Sequence, residues 1–182
     1  MNNLDKWGPL GWRSKEKVLI YGIGNVARQD DGLGIRFIEK LESLDLPSCV
    51  SLDENYQLNI EDALLISGYD VVLFVDAARG GSGEAGLGTG FRTVEQNSPF
   101  SIQPIQPSPE IAFSTHAMSF EGVLALCIEL YGQRPRTFLL SLPGYQWEIG
   151  EEMSEGATEN LEQAFQALRK ELSDVLCMKS PS

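Results

Sequence analysis

Short apolar runs alternate along this chain with stretches in which apolar residues recur every three or four positions. The runs are Val18-Leu19-Ile20-Tyr21, Cys49-Val50-Ser51-Leu52, Val71-Val72-Leu73-Phe74-Val75 and Phe138-Leu139-Leu140-Ser141-Leu142. Each is short, rich in branched or aromatic residues and ended by glycine, proline or acid, as buried strands are. Between them, helical spacing appears at Leu33, Phe37, Ile38, Leu41 and Leu44, and at Ile60, Leu64 and Leu65 behind Asn59 as N-cap. It returns at Phe120, Val123, Leu124, Cys127, Ile128 and Tyr131. A last helix opens near Ser154 and carries Leu161, Ala164, Phe165, Leu168, Leu172 and Val175. Phe91-Arg92-Thr93-Val94 reads as a short edge strand, and the proline-rich stretch 96–109 as an extended surface loop.

Strands alternating with helices predict a three-layer α/β domain. Its centre is a mostly parallel, five-stranded twisted sheet with helices on both faces and room for one antiparallel strand. The run 71–75 is continuous rather than alternating, so it belongs in the middle of the sheet. Residues 17–177 form the single domain. Residues 1–16, with Trp7 and Trp12, read as an irregular arm, and 178–182 as a frayed tail.

Composition narrows the partners. At 182 residues the chain suits one domain with a core of ordinary size. A formal net charge of −12 argues against nucleic acid or an anionic membrane as a partner. Cys49, Cys127 and Cys177 form no C-x-x-C pair, and the first two are expected to be reduced core residues. Residues 1–16 lack the apolar stretch of a signal peptide, and no run reaches membrane-spanning length. A cytoplasmic monomer is expected.

Candidate chemistry begins in 17–44, where a strand leads through a glycine-rich loop and the pair Asp30-Asp31 into a helix. Loops leaving the carboxyl ends of strands are where open α/β sheets bind ligands. Gly22-x-Gly24-x-x-Ala27 fits a dinucleotide fingerprint. The helical pattern, however, starts only at Leu33, after two acids that would repel phosphate. Capping of the helix explains one aspartate and leaves the other. Asp76 ends the central run, and His116, the single histidine, precedes the helix at 120. If that helix packs beside the third strand, Asp31, Asp76 and His116 share one rim. Two carboxylates and an imidazole suit zinc, nickel, iron or manganese better than calcium or magnesium, and leave positions open for water or substrate. No G-x-S-x-G nucleophile elbow competes.

Three segments, in this order, resemble the maturation endopeptidases of nickel–iron hydrogenases: GIGNVARQDDGLG after the first strand, FVDAARGG after the central one, and STHAMSFEGVLAL at a helix start. The likeness covers roughly residues 17–172 and includes GYQWEIGEEMSEGATENLEQA. It implies an enzyme that cuts a C-terminal extension from the hydrogenase large-subunit precursor once nickel has been inserted. The family's acidic first ligand falls on Asp31, its second on Asp76 and its histidine on His116. The resemblance implies that these three contact nickel supplied by the precursor, so that coordination reports its presence. Where many members have an Asp-Gly-Gly turn after the second strand, this chain has Asp53-Glu54-Asn55-Tyr56-Gln57. Asp53 and Gln57 are candidate substrate contacts. Asp30 is a third, able also to orient a water, and Arg79 a candidate for holding the precursor's tail. The alternative within the same fold is a nickel-sensing chaperone that binds precursor without cutting it. A nucleotide-binding module is the third reading.

Overall fold

The computed structural model describes residues 10–12, 16–79, 98–108 and 118–177. In chain order they form β1 (Val18–Ile23), a 3₁₀ turn (Gln29–Gly32), α1 (Leu33–Glu42), β2 (Val50–Asn55), α2 (Asp62–Ile66) and β3 (Val71–Arg79). β4 (Ser101–Pro104), α3 (Phe120–Tyr131), β5 (Arg136–Gly144) and α4 (Glu155–Cys177) follow. The five strands make one sheet in the order β2-β1-β3-β5-β4. β2, β1, β3 and β5 run parallel, and β4 runs antiparallel to β5 at the edge.

Side chains alternate across a strand, so each apolar run feeds two cores. Val18, Ile20, Val71, Leu73, Val75, Leu140 and Leu142 face one side, packed with α1 and α4 through Phe37, Leu41, Phe165 and Leu168. Leu19, Tyr21, Val72, Phe74 and Leu139 face the other, with Ala63 and Ile66 of α2 and Val123, Leu124 and Cys127 of α3. The sheet is covered on both faces, and the three-layer expectation holds.

The chain runs outward from β1 to β2 and then returns to place β3 on the other side of β1. β1 and β3 therefore flank the switch point, where the crevice of such a sheet opens. Two glycines bring α1 flush against that point. A Cβ on Gly34 would collide with the carbonyl oxygens of Ile23 and Val75, and one on Gly22 with the carbonyl oxygen of Gly34. The start of α1 thus rests directly on the ends of the β1–β3 pairing.

Several expectations are corrected. β4 lies inside the stretch read as a surface loop. Its prolines hid a strand that needs only one paired edge, and Pro104 occupies its end. The strand expected at 91–94 lies outside the described residues, as do residues 1–9 and 178–182. β3 runs on past Asp76 to Arg79, because β5 continues to pair with it there. Ile60, ahead of α2, and Leu64 on it are exposed, Leu65 is half-buried, and Asp62, Ala63 and Ile66 are buried; the N-cap position is Glu61 rather than Asn59. Asp62 faces inward because its carboxylate accepts the buried Tyr21 hydroxyl at 2.7 Å and the Asn59 amide at 2.6 Å. Burial and the Asp62 hydrogen bond hold the Tyr21 hydroxyl far above its ordinary pKa. Tyr131, expected on the apolar face of α3, is exposed, and Cys49 is half-buried. The arm is pinned where it is described: Leu10 is buried, and Arg136 donates to the carbonyls of Leu10 and Gly11 and pairs with Glu16. Among the described residues no helix is long and apolar enough to cross a membrane.

Candidate active site

Asp31 is placed by the 3₁₀ turn between β1 and α1. The turn is tight because Gly24, at φ 150°, leaves space for the carbonyl of Asp31 where a Cβ would collide with it. The Asn25 amide donates to that carbonyl at 3.1 Å. Three positions later Gly34 meets Ile23 and Val75, so the turn lies against β3. Asp76 is the residue of β3 that follows Val75. The pairing of β1 with β3 ends at Gly22 and Val75, which leaves Asp76 paired to β5 alone, opposite Ser141. Asp31, in the turn that follows β1, and Asp76, on β3, thus both lie just beyond the end of the β1–β3 pairing.

Their environments differ. Asp31 is half-buried and accepts no side-chain hydrogen bond from a described residue. Burial pushes its carboxyl pKa up, and the nearby Arg28 guanidinium offsets part of that rise. Such a carboxylate is under-solvated and gains from a cation. Asp76 is also half-buried, and one of its oxygens accepts the Ala77 amide at 2.9 Å.

Asp30 has another role. It is wholly buried, and its carboxylate accepts four hydrogen bonds: from the amides of Tyr145, Gln146 and Ser154 and from the Ser154 hydroxyl, at 2.7–2.9 Å. It does not cap α1, whose N-cap is Gly32 with no side-chain bond. Buried and bonded within the fold, Asp30 is closed to the substrate and water contacts expected of it. The capping of α1 expected of one aspartate is therefore not made by Asp30, whose partners lie more than a hundred residues away in the sequence.

Asp53 and Gln57 lie at the β2 edge of the same rim. Asp53 is exposed and accepts the Glu54 amide, while Gln57 is half-buried with its carbonyl held by Asn59. Arg79 is not on a loop but ends β3, its guanidinium 5.6 Å from the centre of the Trp147 ring. Trp147 and Arg28, whose Nη2 donates to the Trp147 carbonyl at 3.1 Å, are rim residues that periodicity could not find, because both lie in irregular loops. His116 lies outside the described residues. Among the described residues no three metal-ligating side chains are grouped.

No protein-family profile matches the chain, and no curated protein matches it in sequence. Solved structures do match in shape. The nickel–iron hydrogenase maturation protease HycI from Thermococcus kodakarensis KOD1 superposes with a TM-score of 0.65 at 24% identity, over 93% of this chain and 97% of that one. A hydrogenase 2 maturation peptidase from Thaumarchaeota archaeon SCGC_AB-539-E09 gives 0.59 at 21% identity, over 86% and 98%. The hydrogenase maturating endopeptidase HybD from E. coli gives 0.57 at 22%, over 85% and 93%. At these identities the likeness is one of architecture: the chain has the fold of the hydrogenase maturation proteases.

Proposed function

We propose that this protein is an endopeptidase that removes the C-terminal extension of a nickel–iron hydrogenase large-subunit precursor after nickel insertion. The observation that supports the reading is that Asp31 and Asp76 both lie just beyond the end of the β1–β3 pairing, in a fold shared with maturation proteases. Asp31 and Asp76 coordinate the nickel that the precursor brings, and His116 is the third ligand. Two carboxylates balance a divalent cation, and the mixed oxygen and nitrogen set suits nickel. Asp53 and Gln57, on the β2 side of the rim, contact the precursor.

A divalent ion held there polarises the scissile carbonyl or lowers the pKa of a bound water to about 7. Hydrolysis adds hydroxide to the carbonyl carbon, and the proton goes to the departing nitrogen. Incubating nickel-loaded precursor with the protein tests the proposal, with loss of the extension read by mass spectrometry. Precursor retained by the protein but left intact would replace the endopeptidase with a nickel-sensing chaperone. Precursor neither bound nor cut would remove both.

A further inference from the structure

We propose that the loop between β5 and α4 is the strap that positions Asp31, with Gln29 and Asp30 as its positioning residues; the role in catalysis rests on the endopeptidase reading above. Successive residues ahead of Asp31 are tied to this loop. The Ala27 carbonyl accepts the Gly150 amide at 2.9 Å, and Arg28 donates to the Trp147 carbonyl. The Gln29 amide donates to the Gly150 carbonyl at 2.6 Å, and the Asp30 amide to the Gln146 carbonyl at 3.1 Å. The Asp30 carboxylate then accepts the four bonds from Tyr145, Gln146 and Ser154. Asp31 is where the ties stop. Its amide and carbonyl bond back to Arg28 and Asn25 of its own loop, and its side chain is left to the rim.

Gln29 shows that the strap imposes this geometry. Its φ of 48° is the one positive value among the described non-glycine residues. A left-handed backbone at such a residue persists only where its surroundings over-determine it. Here the surroundings are the strap: besides the backbone bond, Gln29 Oε1 accepts the Glu148 amide at 3.0 Å and Nε2 donates to Gln146 Oε1 at 3.3 Å. Glycine would take this φ without strain, yet it would lose both side-chain ties. The left-handed turn directs Asp30 into the protein and leaves the next carboxylate on the rim. A carboxylate displaced by even about 1 Å from its working position can cost roughly a hundredfold in rate.

Gln29→Gly and Asp30→Asn test the strap through hydrogen–deuterium exchange of residues 25–32 and through kcat and KM on nickel-loaded precursor. The expected result is faster exchange confined to 25–32, with kcat lower by about tenfold or more and KM changed by less than about twofold. A strap that served folding alone would leave kcat unmoved. Wild-type exchange at 25–32 in Gln29→Gly, or faster exchange with unchanged kcat, overturns the proposal. Gln29→Gly keeps the test decisive if Asp30→Asn does not fold. Should the wild-type protein cut no precursor, the endopeptidase reading fails by itself. The exchange result then decides whether the strap holds the loop that carries Asp31.

Discussion

Asp30 and Ser154 stand 124 positions apart and are joined by two hydrogen bonds of 2.7 Å, from the serine amide and from its hydroxyl. The same hydroxyl accepts the Ala157 amide at 3.2 Å, so Ser154 also caps α4. One side chain thus starts the last helix and donates to the buried Asp30 side chain beside the site. Ser154→Ala removes a donor to a buried carboxylate together with a cap. The expected cost is about 2–4 kcal/mol, from the two losses combined. Urea unfolding measures it, and a loss below about 0.5 kcal/mol would show that water replaces the hydroxyl freely.

Asp31→Asn should abolish processing while making the folded protein more stable at neutral pH. Burial raises the Asp31 carboxyl pKa on folding, more than Arg28 lowers it. The folded state therefore binds this proton more tightly than the unfolded chain does. Below the unfolded value of about 3.9 both states are protonated and the burial of charge costs nothing. The cost appears as pH rises and is complete above the folded pKa. Asparagine keeps the shape without the charge, so its advantage should be present at pH 7 and fade near pH 3. Urea midpoints at the two values measure this, and an Asp31→Asn protein less stable than wild type at pH 7 would contradict it.

Asp76→Asn and Leu73→Ala form a contrasting pair on one strand. Asp76 is half-buried on the rim, and its asparagine should fold normally and fail to process precursor. Leu73 is wholly buried in the core under α1 and α4. Its alanine should cost roughly 2–5 kcal/mol and still cleave precursor at temperatures where it remains folded. Thermal melts and cleavage assays on both proteins separate stability from chemistry. Wild-type cleavage by Asp76→Asn would remove that residue from the site.

Gly34→Ala sets two effects against each other. Helix propensity alone favours alanine by about 1 kcal/mol. The new methyl, however, would overlap the carbonyl oxygens of Ile23 and Val75, which belong to paired strands and cannot retreat like a flexible side chain. Backbone overlap should win, with a net loss of about 2–4 kcal/mol. α1 lifts from the sheet and carries the Asp31 turn with it. A neutral or stabilising outcome in denaturant titration would mean that the helix can shift without cost.

The layers of this fold were legible because period is a strong signal. The continuous run 71–75 is fully buried in the centre of the sheet, and Leu33, Phe37, Ile38 and Leu41 all face the core. The failures have physical reasons. β4 is an edge strand among prolines, which needs no continuous apolar run. α2 is too short for its period to be read, and it turns inward the acid that binds Tyr21 rather than Leu64. At the site, the expectation that Asp31 and Asp76 share one rim rests on each following an apolar run that reads as a strand. That Asp30 and Gln29 belong to a strap could not be read there, since hydrogen bonds between irregular loops leave no period in either. Gln29 resembles any polar loop residue until its φ is known.

The last prediction is that the free protein binds nickel weakly and that nickel in the precursor decides whether cleavage occurs. Asp31 and Asp76 come from separate elements, the turn before α1 and the body of β3, with no thiolate among the proposed ligands. Tight sites for divalent transition metals commonly hold their ligands ready on neighbouring positions and often include thiolates. A nickel ion already seated in the precursor brings most of its own coordination, and Asp31, Asp76 and His116 need supply only the remainder. Calorimetric titration of the free protein with nickel should give a Kd no tighter than about 10 μM, on the order of −7 kcal/mol. Nickel-free precursor offered to protein preloaded with nickel and stripped of excess should then stay intact, while nickel-loaded precursor is cut. Efficient cutting of the nickel-free form would assign the ion to the enzyme. Asp31 and Asp76 would then belong to an ordinary metalloprotease centre, whose action could not depend on whether its substrate had been filled.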